Sequence, residues 1–531
     1  MINRREFIAG ATAAATTLGL HPASAEAPTK SKKPNLIYVF ADQLRQSSCG
    51  FNGDPFARTP NMDKLAKQSV NLNQAISSTC VCAPYRASLM TGKYQTGTGM
   101  VVNEMRLSPD QPTFGGALKD GGYRTAYIGK WHLWANQAGH HELVKNGFTP
   151  PGKYRLGFDD YWAAYNFNHV YFHSPYFLDD ATPHIRTDYE PDGQTDMAIN
   201  YLKNHATAKD EPFALFLSWG PPHYPWGLDN VEDQYADMFR NVTLPTPPNY
   251  SSVSDPYADD LQKLPPHFDK LVHEWRQVYY AQTANLDWNL GRLMKTVDDL
   301  GLTDDTIFVF TCDHGEMFGA HGRQAKCIFY EEAARVPFLV RWPKKIAADS
   351  KSDVLLGTPD IMPTILGMMD VRCPTAIEGH DLSNQIVHNT GVMPDIAHMQ
   401  GMGHTFQWKD GNEWRASRDH EYTYAIYHVD GKELLFHNSK DPFQMHNLAN
   451  DKSNAATLKH YRETSVAFRK EHNDEFHECT WYESRWTTDR NITNTACGVK
   501  QDLTELKQIT DKWFPNGIGE KSIRPGHPKM I

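Results

Sequence analysis

The stretch TIFVFTCDHGE, Thr306 to Glu316, is an apolar run that ends in two acids and a histidine. It has the length and composition of a strand and lacks polar–apolar alternation, so it reads as a strand buried on both faces. Three other runs behave the same way. NLIYVF ends at Phe40, ahead of Asp42 and Gln43, and YRTAYI ends at Ile128, ahead of Lys130 and His132. PFALFLSW is followed by GPPHYPW, which holds His223. Helical segments lie between these runs. TPNMDKLAKQSV opens on Thr59-Pro60, a helix-start signal. Leu286, Leu290, Leu293, Val297 and Leu300 recur at spacings of three and four, one apolar helix face ahead of Asp313.

Strands alternating with helices predict an α/β domain with helices on both sides of a parallel sheet. In such sheets the ligand crevice lies outside the carboxyl ends of the strands. Every polar group named above falls just past such an end. The site therefore has an anionic half and a cationic half. Asp42, Asp313, His314 and Gln43 suit a hard divalent cation, which takes oxygen ligands. Arg86, Lys130, Lys326, His132 and His223 would hold an anionic substrate group against it.

At 531 residues the chain exceeds the size of one hydrophobic core, which predicts two domains. A formal charge of −10 argues against nucleic acid or an anionic membrane as a general partner. The first residues, MINRREFIAGATAAATTLGLHPASA, place Arg4 and Arg5 before a weak apolar run and a small-residue cleavage site at Ala23-Ser24-Ala25. This pattern is an export signal of the twin-arginine type, residues 1–25, and places the mature chain in the periplasm or outside the cell. No later stretch is apolar enough to span a bilayer, so no stable membrane association is expected. Beyond about residue 385 the texture changes. EYTYAIYHVDGKELLFHNSKDPFQMHNL holds two strand-like runs around the turn Val429-Asp430-Gly431-Lys432. Residues 26–385 thus form the catalytic domain, and 386–531 a smaller α+β domain on an antiparallel sheet. The segment from Thr243 to Phe268, rich in Pro, Ser and Asp, reads as a long surface loop. Eight cysteines are too few for a disulfide scaffold, with Cys479–Cys497 the nearest late pair for a bridge.

CAPYRASLMTG, Cys82 to Gly92, resembles the signature of the formylglycine-dependent type I sulfatases: Cys-x-Pro-x-Arg followed by Thr-Gly. NLIYVFADQLR, TPNMDKLA, GYRTAYIGKWHL, PPHYPW, CDHGEMFGAHG with KCIFYEEAARVPFLVRWP, and PDIMPTIL look like the remaining blocks of that family, in its order. The resemblance implies an alkaline-phosphatase-like fold, with a large mixed, mostly parallel sheet sandwiched by helices. It implies a sulfuric ester hydrolase whose Cys82 is oxidised to formylglycine by a formylglycine-generating enzyme. In such an enzyme one oxygen of the hydrated aldehyde attacks sulfur, and collapse through the other later expels sulfate. Asp42, Gln43, Cys82, Asp313 and His314 would hold one calcium ion, Gln43 falling where many members have a second Asp. Arg86, Lys130, His132, His223 and Lys326 would form the sulfate pocket with Cys82. Tyr85 sits where small residues are commoner in the motif, and Cys80 has no role in it. A sulfated carbohydrate is the expected substrate, with Asn103, Arg106, His173 and His404 as loop residues suited to contact a sugar. A phosphonate monoester or phosphodiester hydrolase of the same superfamily, and an inactive sulfated-glycan-binding protein, are the alternatives.

Overall fold

A computed structural model describes residues 33–515, apart from 104, 136–142, 205–210 and 489–490. The expected export signal lies outside the described residues. The main sheet has eight strands, in chain order β1 (Asn35–Ala41), β2 (Val70–Leu72), β3 (Arg124–Lys130), β4 (Tyr161–Tyr165), β5 (Phe213–Ser218), β6 (Thr306–Cys312), β7 (Phe338–Arg341) and β8 (Ser350–Ser352). Across the sheet the order is β8-β2-β7-β6-β1-β5-β3-β4. Every pairing is parallel except those of β7, which runs antiparallel to both β6 and β2. The four runs read from sequence are the adjacent strands β6, β1, β5 and β3. All residues of β1, β5 and β6 are buried, as unalternating apolar runs require when both faces are covered.

The register decides where the chemistry lands. Phe40 lies opposite both Ser218 and Thr311, Ala41 opposite Cys312, and Gly129 opposite Ser218. The four carboxyl ends are therefore level, and the residues just past them emerge side by side.

Five helices matter here: α1 (Pro60–Ala66), α2 (Cys82–Thr91), α3 (Glu190–Asn204), α4 (Phe268–Asp299) and α5 (Thr358–Met368). They pack in two sets, α1 and α3 on α4, and α2 on α5. The stripe Leu286, Leu290, Leu293 and Val297 is buried as its spacing predicts, while Leu300 lies just past the end of α4 and is partly exposed. Among the described residues, no helix is long and apolar enough to cross a membrane.

A second, antiparallel sheet follows: β9 (Ala397–Gly401), β10 (Trp414–Arg418), β11 (Tyr422–Tyr427) and β12 (Glu433–His437), in that order. One face, through Met399, Trp414, Ala416, Tyr427 and Phe436, buries Ile328 and Phe329. Tyr424 and Leu435 pack against Leu458 and Tyr461 of α6 (Ala455–Glu471). None of the eight cysteines is in a disulfide, so the late pair is unbridged: Cys479 is buried and Cys497 exposed. The proline-rich segment before α4 is irregular, as expected, but it is more than a surface loop. Its buried Gln262 donates to the Lys326 carbonyl, and its buried Asp259 accepts from the Thr405 hydroxyl.

Gly129, one residue before Lys130, has φ +102, and a Cβ there would stand 2.0 Å from the Ser218 carbonyl oxygen. Alanine would have to part β3 from β5 at the rim where the polar groups emerge. Gly431, φ +68, has open space around it, so alanine there meets only the left-handed backbone penalty of about 1 kcal/mol. We expect Gly129→Ala to lower the melting temperature clearly more than Gly431→Ala, and to cut turnover while the control leaves it intact. Paired thermal melts and rate measurements check this.

Candidate active site

Cys82 is the first residue of α2, a helix buried along its whole length. Pro84 lies in the first turn, where a backbone N–H has no intrahelical partner to lose. Gly92 closes the helix at φ 64, its N–H donating to the Ser88 carbonyl at 2.8 Å. The Pro and the Thr-Gly of the motif thus delimit a short helix. Arg86, four residues on, shares the face of Cys82.

That face meets the strand ends. The Arg86 guanidinium donates to the Lys130 carbonyl at 2.6 Å and to Ser218 Oγ at 2.8 Å. It also reaches Asp42 at 3.4 Å and Asp313 at 3.3 Å. Lys130 Nζ donates to Asp42 Oδ2 at 2.5 Å. Cys82 Sγ lies 3.5 Å from Asp42 Oδ1 and 3.3 Å from His314 Nε2. Ligand atoms of Asp42, Cys82, Asp313 and His314 all fall within 4.8 Å of one another. His314 Nδ1 is 3.0 Å from the Gly315 carbonyl, a partner that fixes the proton on Nδ1 and leaves the Nε2 lone pair facing the carboxylates.

Opposite stands Lys326, whose Nζ is 2.5 Å from both Gln43 Oε1 and His223 Nε2. His223 Nδ1 sits 2.7 Å from the Tyr224 carbonyl, which sets the same tautomer there. His132 is buried with neither ring nitrogen hydrogen-bonded. Two buried donor-acceptor atoms without partners, beside a charged cluster, are what a pocket awaiting a polar ligand presents.

Electrostatics divide these groups by partner. Burial alone would raise the Asp42 carboxyl, but the Lys130 ammonium and the Arg86 guanidinium hold it well below the usual carboxylate range. Burial and the cations Lys130 and Arg86 push His132 well below an ordinary histidine. Burial and Lys326 do the same to His223. Lys326 itself is raised despite its burial, because Cys82, Asp42 and Asp313 face it. Neutral His132 and His223 thus stand beside a charged Lys326 and an ionised Asp42.

The backbone is strained where it presents these groups. Gln43 (φ 69), His132 (φ 59), Ala325 (φ 61) and Cys327 (φ 66) are all left-handed non-glycine residues. Such conformations cost roughly 1–3 kcal/mol each and persist where the surroundings impose them. Here Cys327 N–H is held by the Cys80 carbonyl at 3.0 Å, and the Lys326 carbonyl accepts from Gln262.

Ten residues expected from sequence are thereby brought together: Asp42, Gln43, Cys82, Arg86, Lys130, His132, His223, Asp313, His314 and Lys326 are all buried at the strand ends. The four loop residues fare differently. Asn103 adjoins the site, but its Oδ1 is engaged as the external cap of α2, accepting the Ala83 N–H at 3.0 Å. Its own N–H donates to the carbonyl of Thr405, which follows His404, so these two loops meet beside Cys82. Arg106 is buried elsewhere, on the Ala135 carbonyl and Asn491 Oδ1. His173 is exposed and shares no hydrogen bond or ring contact with the cluster. Sequence reading missed Ser218 and Glu316. The buried Glu316 carboxylate accepts from Gln43 Nε2 at 2.5 Å and from the N–H groups of Phe318 and Ala325. Its only signal was its place in CDHGE.

The family model described as Sulfatase matches residues 34–371, and one described as N-sulphoglucosamine sulphohydrolase, C-terminal, matches 319–471. The chain belongs to the sulfatase family and is a sulfuric ester hydrolase of the alkaline-phosphatase-like fold. An ulvan-active sulfatase of Formosa agariphila is 36% identical over 424 residues, 78% of this chain and 77% of that protein. An endo-4-O-sulfatase of Bacteroides thetaiotaomicron is 29% identical, over 87% of this chain and 96% of its own length. The crystal structure of a sulfatase-like protein of Bacteroides fragilis superposes with a TM-score of 0.75 at 28% identity, covering 86% of this chain and 99% of its own.

Glu316 fixes which way the Gln43 amide points. In Glu316→Gln the new side chain keeps an oxygen for the two backbone donors but sets N–H against N–H at Gln43. We expect near-native folding and a loss of about 1–3 kcal/mol at the site, or about tenfold or more in kcat/KM. Thermal melts beside steady-state kinetics on a sulfate ester check this.

Proposed function

We propose that this protein removes sulfate from a sulfated carbohydrate, with Cys82 oxidised to formylglycine and a calcium ion at Asp42, Asp313, His314 and Gln43. The observation that carries the reading is the convergence of four ligand atoms within 4.8 Å, ringed by Arg86, Lys130 and Lys326. The carbohydrate part is supported by the ulvan-active and endo-4-O-sulfatase relatives.

The donor set fits both groups. Two buried carboxylates, an amide oxygen and an imidazole with its lone pair turned inward suit a divalent cation, oxygen-rich as calcium prefers. A cysteine sulfur is the misfit among them, and replacing it by the oxygens of a hydrated aldehyde removes the mismatch. When bound, the cation would polarise the sulfate oxygens, and the hydrated formylglycine would supply the attacking oxygen and a second hydroxyl for sulfate release.

The remaining work falls to the chain. Arg86 and Lys130, locked by their bonds to the strand ends, offer fixed positive charge to the sulfate oxygens without reorganising. Lys326, hydrogen-bonded to His223 Nε2, holds a proton beside the departing alcohol. Neutral His132, with unengaged nitrogens, can take the proton whose loss triggers sulfate release. General acid–base help of this kind is worth roughly 10²–10⁴-fold per group. Maturation by a formylglycine-generating enzyme precedes export, because a twin-arginine route carries folded proteins to the periplasm or beyond.

Peptide mass spectrometry of active enzyme should find Cys82 as formylglycine, lighter than the cysteine form, and Cys80 as a thiol. Cys82→Ser should stall or fail to turn over, whereas Cys80→Ser should stay within a few-fold of the parent. Full activity from protein whose Cys82 is wholly a thiol would sink the mechanism. Removing calcium with a chelator should abolish activity, and calcium should restore it. A panel of sulfated oligosaccharides set beside aryl sulfates and phosphate esters tests the substrate class. Preference for phosphate esters would overturn it.

A further inference from the structure

We propose that His169 is a positioning residue for His223, its ring laid flat on that of His223 so that Nε2 stays aimed at Lys326 and the departing alcohol. The inference rests on the leaving-group role given to Lys326 and His223 above. The two rings stack with centroids 3.9 Å apart and planes 4° from parallel. His223 has two in-plane hydrogen bonds, to the Tyr224 carbonyl and to Lys326. Two such bonds define a line through the ring and leave it free to tilt about that line. A flat partner on its face removes the tilt.

The stack is built into the fold. The amide of one residue, Asn230, donates to the carbonyls of His169 (3.1 Å) and Pro225 (3.0 Å), and accepts the Tyr171 N–H at 2.8 Å. Tyr171 in turn donates its hydroxyl to the His223 carbonyl at 2.8 Å. The loops carrying the two histidines are thus tied together on both sides of the stack. Phe167 also meets the His169 ring, edge-on with centroids 4.7 Å apart. The His169 Nδ1 is buried with no hydrogen-bond partner, so a bond at that nitrogen does not explain the residue. Its face does.

The test compares His169→Ala and His169→Phe with the parent on two esters. One is an aryl sulfate, whose phenolate leaves with little need of a proton; the other is the best sugar sulfate, whose alkoxide needs one. His169→Ala should lose about tenfold or more in kcat on the sugar sulfate and stay within about threefold on the aryl sulfate. His169→Phe, which keeps a flat ring, should recover most of the loss. Thermal melts check that both variants are folded. Parent-like rates for His169→Ala on both esters, equal losses on both, or a His169→Phe no better than His169→Ala would each overturn the positioning role. Lys326→Ala is measured alongside. If its loss is the same on the two esters, the leaving-group role itself falls, and this proposal with it. If its loss is confined to the sugar sulfate while His169→Ala is parent-like, only the positioning is overturned.

Discussion

One buried guanidinium holds the site together. Arg86 touches the ends of all four central strands: Lys130 on β3, Ser218 on β5, Asp42 beyond β1 and Asp313 beyond β6. It also lies over the Phe40 ring at 4.9 Å. A charge taken out of water is tolerable only when paired and hydrogen-bonded, and removing one partner of such a set costs about 3–5 kcal/mol. The level register of the sheet makes the arrangement possible, because only strands ending at one height can all reach a single side chain. Arginine suits the position because its planar fork offers several donors in fixed directions; lysine offers one point charge.

The other half of the site depends on packing brought from far away in the chain. Lys326 sits between two left-handed residues, a conformation that a free loop would abandon. The antiparallel sheet prevents that: Trp414 donates its indole N–H to the Cys327 carbonyl at 3.1 Å, and the apolar face of the sheet buries Ile328 and Phe329. Asp259 adds a second brace. It accepts from both the N–H and the hydroxyl of Thr405, whose hydroxyl lies 2.9 Å from Cys327 Sγ. The C-terminal sheet therefore serves the chemistry without supplying any of the cluster's side chains.

Much of this was legible in the residues. Apolar runs without alternation announce strands covered on both faces, and polar residues just past four of them announce a shared rim. Less legible were groups defined by what they touch. Glu316 is an acid among acids until its contact with Gln43 is seen, and His169 is a loop histidine until its ring is found on His223. Arg106 shows the opposite failure: a cation in a loop beside the motif, which turns out to be engaged with the Ala135 carbonyl and Asn491.

The sequence by itself determined the four strands, the helix that opens at Thr59-Pro60, the apolar helix face ahead of Asp313 and the set of charged residues, because these follow from periodicity, helix-end chemistry and spacing, all local properties. Only the tertiary structure decided that Gln43 turns its amide to Glu316 and Lys326, that Asn103 is engaged as a helix cap, that Cys479 and Cys497 stay unbridged, and that the proline-rich segment packs on the Lys326 strap. Those outcomes depend on which distant groups arrive within hydrogen-bonding distance. Register and packing set that distance, and no short stretch of residues encodes it.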